Sequence, residues 1–158
     1  RRLGPEDWRV FREVRLAALQ EAPYAFGSTY ERERRAEESN CRERLGNRMQ
    51  MVAEVGGEIA GTAAGIAADG DPAGGRPAAL ISMWVAPQSR GLGVGARLVN
   101  AVVDWAKQDG HDSVFLWVTE GNAVAERLYE RCGFVRTGQV QPVHPGEPRL
   151  EYEMWKRI

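Results

Sequence analysis

The chain has 158 residues, 43% of them hydrophobic and 27% charged, with 21 Lys+Arg against 22 Asp+Glu for a formal net charge of -1. This is one domain's length with material for a sizeable core, and the composition excludes intrinsic disorder. No basic excess points to nucleic acid or an anionic membrane, and no run of 18 apolar residues predicts a transmembrane helix. Two cysteines (Cys41, Cys132) and two histidines (His111, His144) make neither a disulfide framework nor a four-ligand zinc site, so no metal is expected. The expectation is a soluble, cytoplasmic, single domain over residues 1–158.

In chain order, Pro5, Glu6 and Asp7 suit the first turn of a helix that carries Trp8, Phe11, Ala18 and Leu19 near one face. Pro23 ends it, because the residue before proline is pushed out of α geometry. Ser28 or Thr29 caps a second, highly charged helix over residues 30–45, whose charge run reads first as a solvated face. Residues 48–55 then alternate as a strand, Gly56-Gly57 signals a hairpin, and residues 58–66 return. Residues 69–77 are dense in Gly, Pro and Asp and read as loop. Residues 78–85 form a third, apolar strand. A glycine-rich turn over residues 91–95 opens a helix that ends at Gly110. Residues 113–118 are the continuous apolar run of a buried central strand. Residues 122–132 form a short helix closed by Gly133, and residues 134–137 and 149–155 are two last strands. The predicted order is βααβββαβαββ once a first strand, clipped at the N terminus, is allowed for. It describes an α/β (α+β) fold with a mixed, mostly antiparallel sheet flanked by helices.

The strongest local signal is Arg90-Gly91-Leu92-Gly93-Val94-Gly95-Ala96, which follows a strand and opens a helix. Glycines there permit positive φ and close approach of a ligand to the main chain. The first-turn N–H groups are unsatisfied and partly positive, and together these features make a cradle for a pyrophosphate. A bare strand-to-helix turn would use glycines in the same way. A dinucleotide site fits poorly: the turn follows a meander, Asp112 precedes the next strand instead of ending it, and too little chain remains for a doubly wound domain. A triphosphate loop is excluded because no Gly-Lys-Ser/Thr follows.

The second signal is the helix with Asn122 and Tyr129, seven residues and about two turns apart, on one face with the small Ala125 between them. Taken singly, Asn122 is a cap and Tyr129 a packed ring. Beside a pyrophosphate cradle, a phenol can instead give a proton to a leaving group.

Three pieces together resemble the GNAT superfamily of N-acetyltransferases, a bacterial small-molecule type of member. They are the strand Ile81-Ser82-Met83-Trp84-Val85-Ala86-Pro87, the turn Arg90-x-x-Gly93-x-Gly95, and Asn122-x-x-Ala125-x-x-Leu128-Tyr129-x-x-x-Gly133-Phe134. The resemblance implies splayed central strands, ending near Val85 and Val118, around acetyl-coenzyme A as acetyl donor. Met83, Trp84 and Val85 would line the pantetheine arm and residues 91–96, with Arg90, the pyrophosphate. Asn122 would anchor the pantetheine side and Tyr129 would protonate the leaving thiolate. It further implies a small-molecule primary amine as acceptor, with Phe26, Tyr30, Glu31, Glu33 and Trp84 as acceptor-site candidates. The strand before the glycine turn lacks the carboxylate that some relatives use as general base. Glu120 is the candidate taken for that role, with Glu33, Glu54, a water chain or attack without a protein base as alternatives. A protein or peptide acceptor and a non-catalytic acyl-coenzyme A sensor are the competing functions. A homodimer through an edge strand near the C terminus is a further expectation.

Overall fold

A computed structural model describes residues 1–70 and 74–158. Part of the breaker-rich loop predicted over residues 69–77 therefore lies outside the described residues. The elements are β1 (Arg2–Leu3), α1 (Trp8–Glu21), α2 (Tyr30–Glu33), α3 (Glu38–Gly46), β2 (Met49–Val55), β3 (Glu58–Ala67), β4 (Pro77–Val85), α4 (Val94–Gln108), β5 (Ser113–Thr119), α5 (Ala123–Arg131), β6 (Val135–Pro142) and β7 (Leu150–Arg157). They build one seven-stranded sheet in the order β1-β2-β3-β4-β5-β7-β6. Every neighbouring pair is antiparallel except β4 and β5. The mixed, mostly antiparallel sheet is the predicted fold class.

Two predictions need correction. The first strand is present as the two residues of β1, paired with Gln50 and Met51. The charged helix expected over residues 30–45 is two helices, α2 and α3, with a break between Arg34 and Glu37. Thr29 caps α2 as expected, its hydroxyl accepting from the Arg32 N–H. Glu33, read as part of a solvated face, is turned inward onto two arginines.

The two sheet faces are packed differently. On one, α4 lays Val94, Leu98, Val99, Val102, Val103 and Ala106 against the sheet, joined by Val114, Leu116, Val118 and Phe134. Such side chains contribute about 1.5–3 kcal/mol each when fully buried. The small residues of β3 exist for this contact. A Cβ at Gly65 would sit 2.5 Å from the Trp105 ring of α4, so only glycine lets the helix come so close. On the other face α1, α2 and α3 cover β1 to β4, through one apolar cluster around Phe11, Val14, Leu45 and Val52 and another around Leu19, Phe26 and Trp84.

The site follows from the one parallel pair. β4 and β5 are in register only from Pro77 opposite Ser113 to Ala79 opposite Phe115, and beyond that they diverge. At the same level β4 slips against β3, between Thr62 and Ala64, with Ser82 at φ 55°. A bulge bends and twists a strand locally, which is what parts β4 from β5.

Candidate active site

The gap between β4 and β5 opens into a cleft of about 670 Å³. Its walls are residues 80–85 of β4, residues 116–119 of β5, the turn before α4, and one face of α5 with Asn122, Ala125 and Tyr129.

Gly91 and Gly93 adopt φ 78° and 80°, and Gly93 is the N-cap of α4. The first helical bond of α4 runs from the Arg97 N–H to the Gly93 carbonyl. The N–H groups of residues 91–96 therefore have no acceptor among the described residues. No neighbouring atom lies within 4 Å of a Cβ built at Gly91 or Gly93, so they serve the turn's conformation and leave its outer surface open. The residues present thus fit an anionic group at this helix end.

The end of β4 supplies a further donor. The Ala86 N–H bonds the Ala60 carbonyl. Bonded and non-bonded pairs alternate along an antiparallel ladder, so Val85, opposite Gly61, turns its N–H and C=O away from β3 and toward the gap. The Arg90 Nε donates to the Val85 carbonyl at 3.0 Å. Its Nη2 donates to Glu21 at 2.9 Å, and Glu21 also accepts from the Trp84 Nε1 at 2.8 Å. A single carboxylate on α1 thus ties the glycine turn to β4.

Across the cleft, Tyr129 is buried on α5, edge-on to Phe134 with ring centroids 6.2 Å apart. Burial, and secondarily Cys132, pushes its phenol above the ordinary tyrosine value. The ring therefore stays protonated at neutral pH, the state a proton donor needs. Asn122 is also the cap of α5, its Oδ1 accepting from the Ala125 N–H at 3.2 Å.

The acetyltransferase (GNAT) family matches residues 12–134. The chain belongs to this family. N-acetyltransferase 8B of Rattus norvegicus is 33% identical over 91 residues, which cover 58% of this chain and 41% of the rat protein. The chain thus spans about two-fifths of the length of the curated relatives it matches. The fold is that of an acetyltransferase of the GNAT family from Streptococcus pneumoniae, with a TM-score of 0.80 at 20% identity over 100% of this chain and 97% of that one. Spermidine N-acetyltransferase from Vibrio cholerae, solved with CoA and spermine, superposes with a TM-score of 0.75 at 19% identity, over 99% of this chain and 93% of that one.

Of the cofactor-side residues read from the sequence of this GNAT domain, Met83, Trp84, Val85, Arg90, Gly91, Gly93, Val94, Gly95, Ala96, Asn122 and Tyr129 all line the cleft. Leu92 does not; its side chain points to solvent, 66% exposed.

The acceptor-side candidates are placed otherwise. Phe26 is buried in the cluster with Leu19, Ala22 and Trp84, under the Arg15 guanidinium. Tyr30 packs on the same cluster, away from the cleft. Glu31 is exposed and paired with Arg34. Glu33 is buried and accepts from Arg15 Nε and Nη2 at 2.9 and 3.0 Å and from Arg44 at 2.7 Å. Burial alone would raise its pKa, but Arg15 and then Arg44 hold it down at about 2. Its charge is spent on these arginines and attracts no amine. Trp84 alone of the five touches the cleft. Among the base candidates, Glu120 is exposed in the turn after β5 and Glu54 pairs with Arg1 at the sheet edge. No carboxylate lines the cleft among the described residues.

Sequence reasoning missed Glu21, Tyr24, Trp117 and Arg131. Tyr24, Trp117 and Arg131 line the cleft, and Glu21 stands behind Trp84 and Arg90. None of them carried a signal in the sequence; Trp117 sits inside the apolar run read as a buried strand, yet it is 37% exposed. Among the described residues no cluster of His, Cys, Asp or Glu could hold a metal, and no helix is long and apolar enough to cross a membrane.

Proposed function

We propose that this GNAT domain moves the acetyl group of acetyl-coenzyme A to the primary amine of a small molecule, with Tyr129 as the proton donor. The observation that carries the reading is one cleft with unpaired N–H groups of residues 91–96 at one end and a protonated, buried phenol on the facing wall.

Acetyl-coenzyme A would supply an activated thioester. The N–H groups of residues 91–96 hold its pyrophosphate, and Arg90 adds charge at the rim. Asn122, at the start of α5, borders the pantetheine path. The Val85 N–H faces the gap, where it can donate to the carbonyl oxygen as negative charge develops there. The amine nitrogen forms the new C–N bond and the C–S bond breaks. Tyr129 gives its proton to the departing sulfur, and the proton lost by the amine passes to solvent, from which Tyr129 is restored. With no carboxylate on the walls, the amine attacks in its neutral form. An alkylamine with a pKa of about 10.4 is then mostly protonated at pH 7, so the rate rises with pH below that value.

Two measurements test this. Acetyl-coenzyme A at about 100 times its dissociation constant should stabilise the fold by about 2.7 kcal/mol, a shift of several degrees in the melt, with none for NADH. Tyr129→Phe should keep that shift and lose about 10²–10⁴-fold in kcat. An unchanged rate and pH profile in Tyr129→Phe would remove the proton-donor role. Absence of the melting shift would remove the acetyl-transfer reading.

A further inference from the structure

We infer that the acceptor carries a carboxylate a few bonds from its amine, and that Ser82 is the residue that selects it. This inference rests on the acetyl-transfer reading above.

Ser82 is the one non-glycine residue with positive φ among the described residues. An L residue holds that conformation only where its surroundings over-determine it, and such places gather at functional sites. Here the surroundings are visible. The Arg15 Nη1 donates to the Ser82 Oγ at 3.2 Å, and Glu33 holds the rest of the same guanidinium. Ser82 lines the cleft, and its hydroxyl lies on the α1 side of the sheet, opposite α4 and α5. The acceptor must approach from that side if the glycine turn holds the donor molecule.

The chemistry of the hydroxyl is set by its partner. An oxygen that already accepts from a cation is a poor base and a stronger donor. Ser82 therefore offers an O–H to the cleft and suits an anionic oxygen better than an ammonium group. The wider charge balance agrees. Arg15, Arg44 and Arg48 stand together with Glu33 as their common carboxylate. The cationic residues that line the cleft are Arg90, paired with Glu21, and Arg131. The carboxylates of β7 on the same face of the sheet are Glu151 and Glu153, opposite Thr119 and Trp117. They accept from Gln141 at 2.7 Å and Thr137 at 2.8 Å, and neither lines the cleft. An acceptor with a second ammonium group finds no carboxylate on these walls, whereas a carboxylate finds the Ser82 O–H polarised by Arg15.

The test uses matched amines: phenylalanine, leucine and methionine, each with its carboxamide and its decarboxylated amine, with spermidine as the dication. The full chain should turn over at least one amino acid with kcat/KM at least tenfold above its decarboxylated partner and above spermidine. Ser82→Ala should raise KM for that carboxylate about ten- to a hundredfold and leave the decarboxylated partner within about twofold, as expected for one charge-assisted hydrogen bond. Ser82→Gly removes the hydroxyl and relieves the positive φ, so it should show the same selective loss. A loss equal for both acceptor types, or a loss in Ser82→Ala that Ser82→Gly rescues, overturns the selecting role. Preference for spermidine or the plain amines, or no turnover of any amine while acetyl-coenzyme A still raises the melt, overturns the acceptor class. Failure of acetyl-coenzyme A to raise the melt overturns the transfer reading itself.

Discussion

The two faces of the sheet are built on different principles. Behind it, α4 and α5 meet the strands through a continuous apolar layer, with Gly65 of β3 admitting the Trp105 ring. In front, α1, α2 and α3 rest on two separate apolar clusters and on a buried carboxylate shared by Arg15 and Arg44. The rear face is therefore closely packed and presents backbone N–H groups to the cleft. The front face depends on pairings across long sequence separations and presents side chains. The glycine turn and Tyr129 belong to the first kind and Ser82, held by Arg15, to the second.

Glu33→Gln should break this contrast most severely. It leaves Arg15 and Arg44 buried without their carboxylate, which costs about 3–5 kcal/mol, or roughly 10 °C in the melt. Urea denaturation at pH 7 checks it. The wild-type contribution has a defined pH window. With its folded-state pKa depressed from 4.5 to about 2, Glu33 stabilises the fold above pH 4.5, and this is lost as pH falls toward 2. The variant should lack that part of the acid slope; an unchanged slope would show that other carboxylates carry it.

Gly93→Ala probes the rear half and should act more weakly. A Cβ there meets no atom within 4 Å, so the cost is the positive φ alone, about 1–2 kcal/mol. Calorimetric titration should show acetyl-coenzyme A bound about tenfold more weakly, with the front face intact. The smallest effect belongs to Glu31→Ala. Its pair with Arg34 is exposed, so stability should stay within about 0.5 kcal/mol of wild type. A larger loss would mean that the front face uses α2 more widely than through Glu33.

These contrasts also explain what could be read in advance. The glycine turn, the buried central strand and the Asn122–Tyr129 face were legible because each is a local demand: positive φ, an apolar run, a seven-residue spacing; the splay of β4 from β5 was expected only from the resemblance to the GNAT superfamily. Glu31 and Glu33 looked alike two residues apart in a charge run, yet one is solvated and the other buried, because Arg15 and Arg44 approach from other helices. Phe26 and Tyr30 were plausible walls that became core, since the cluster around Trp84 needed them. Glu21 carried no local mark, and its partners Trp84 and Arg90 lie 63 and 69 residues away.

The amino-acid sequence by itself determined the order of elements from the first hairpin onward, the glycine turn at the start of α4, the Asn122–Tyr129 face and the absence of a carboxylate on β4. Those properties depend on backbone conformation and short-range periodicity. Only the tertiary structure decided which charges are spent on one another and which face the cleft. It also placed Ser82, an ordinary hydroxyl in an apolar strand, at a bulge with positive φ under the Arg15 guanidinium. Pairing of charges is a long-range choice, set by which helices meet over the sheet, and no spacing along the chain encodes it.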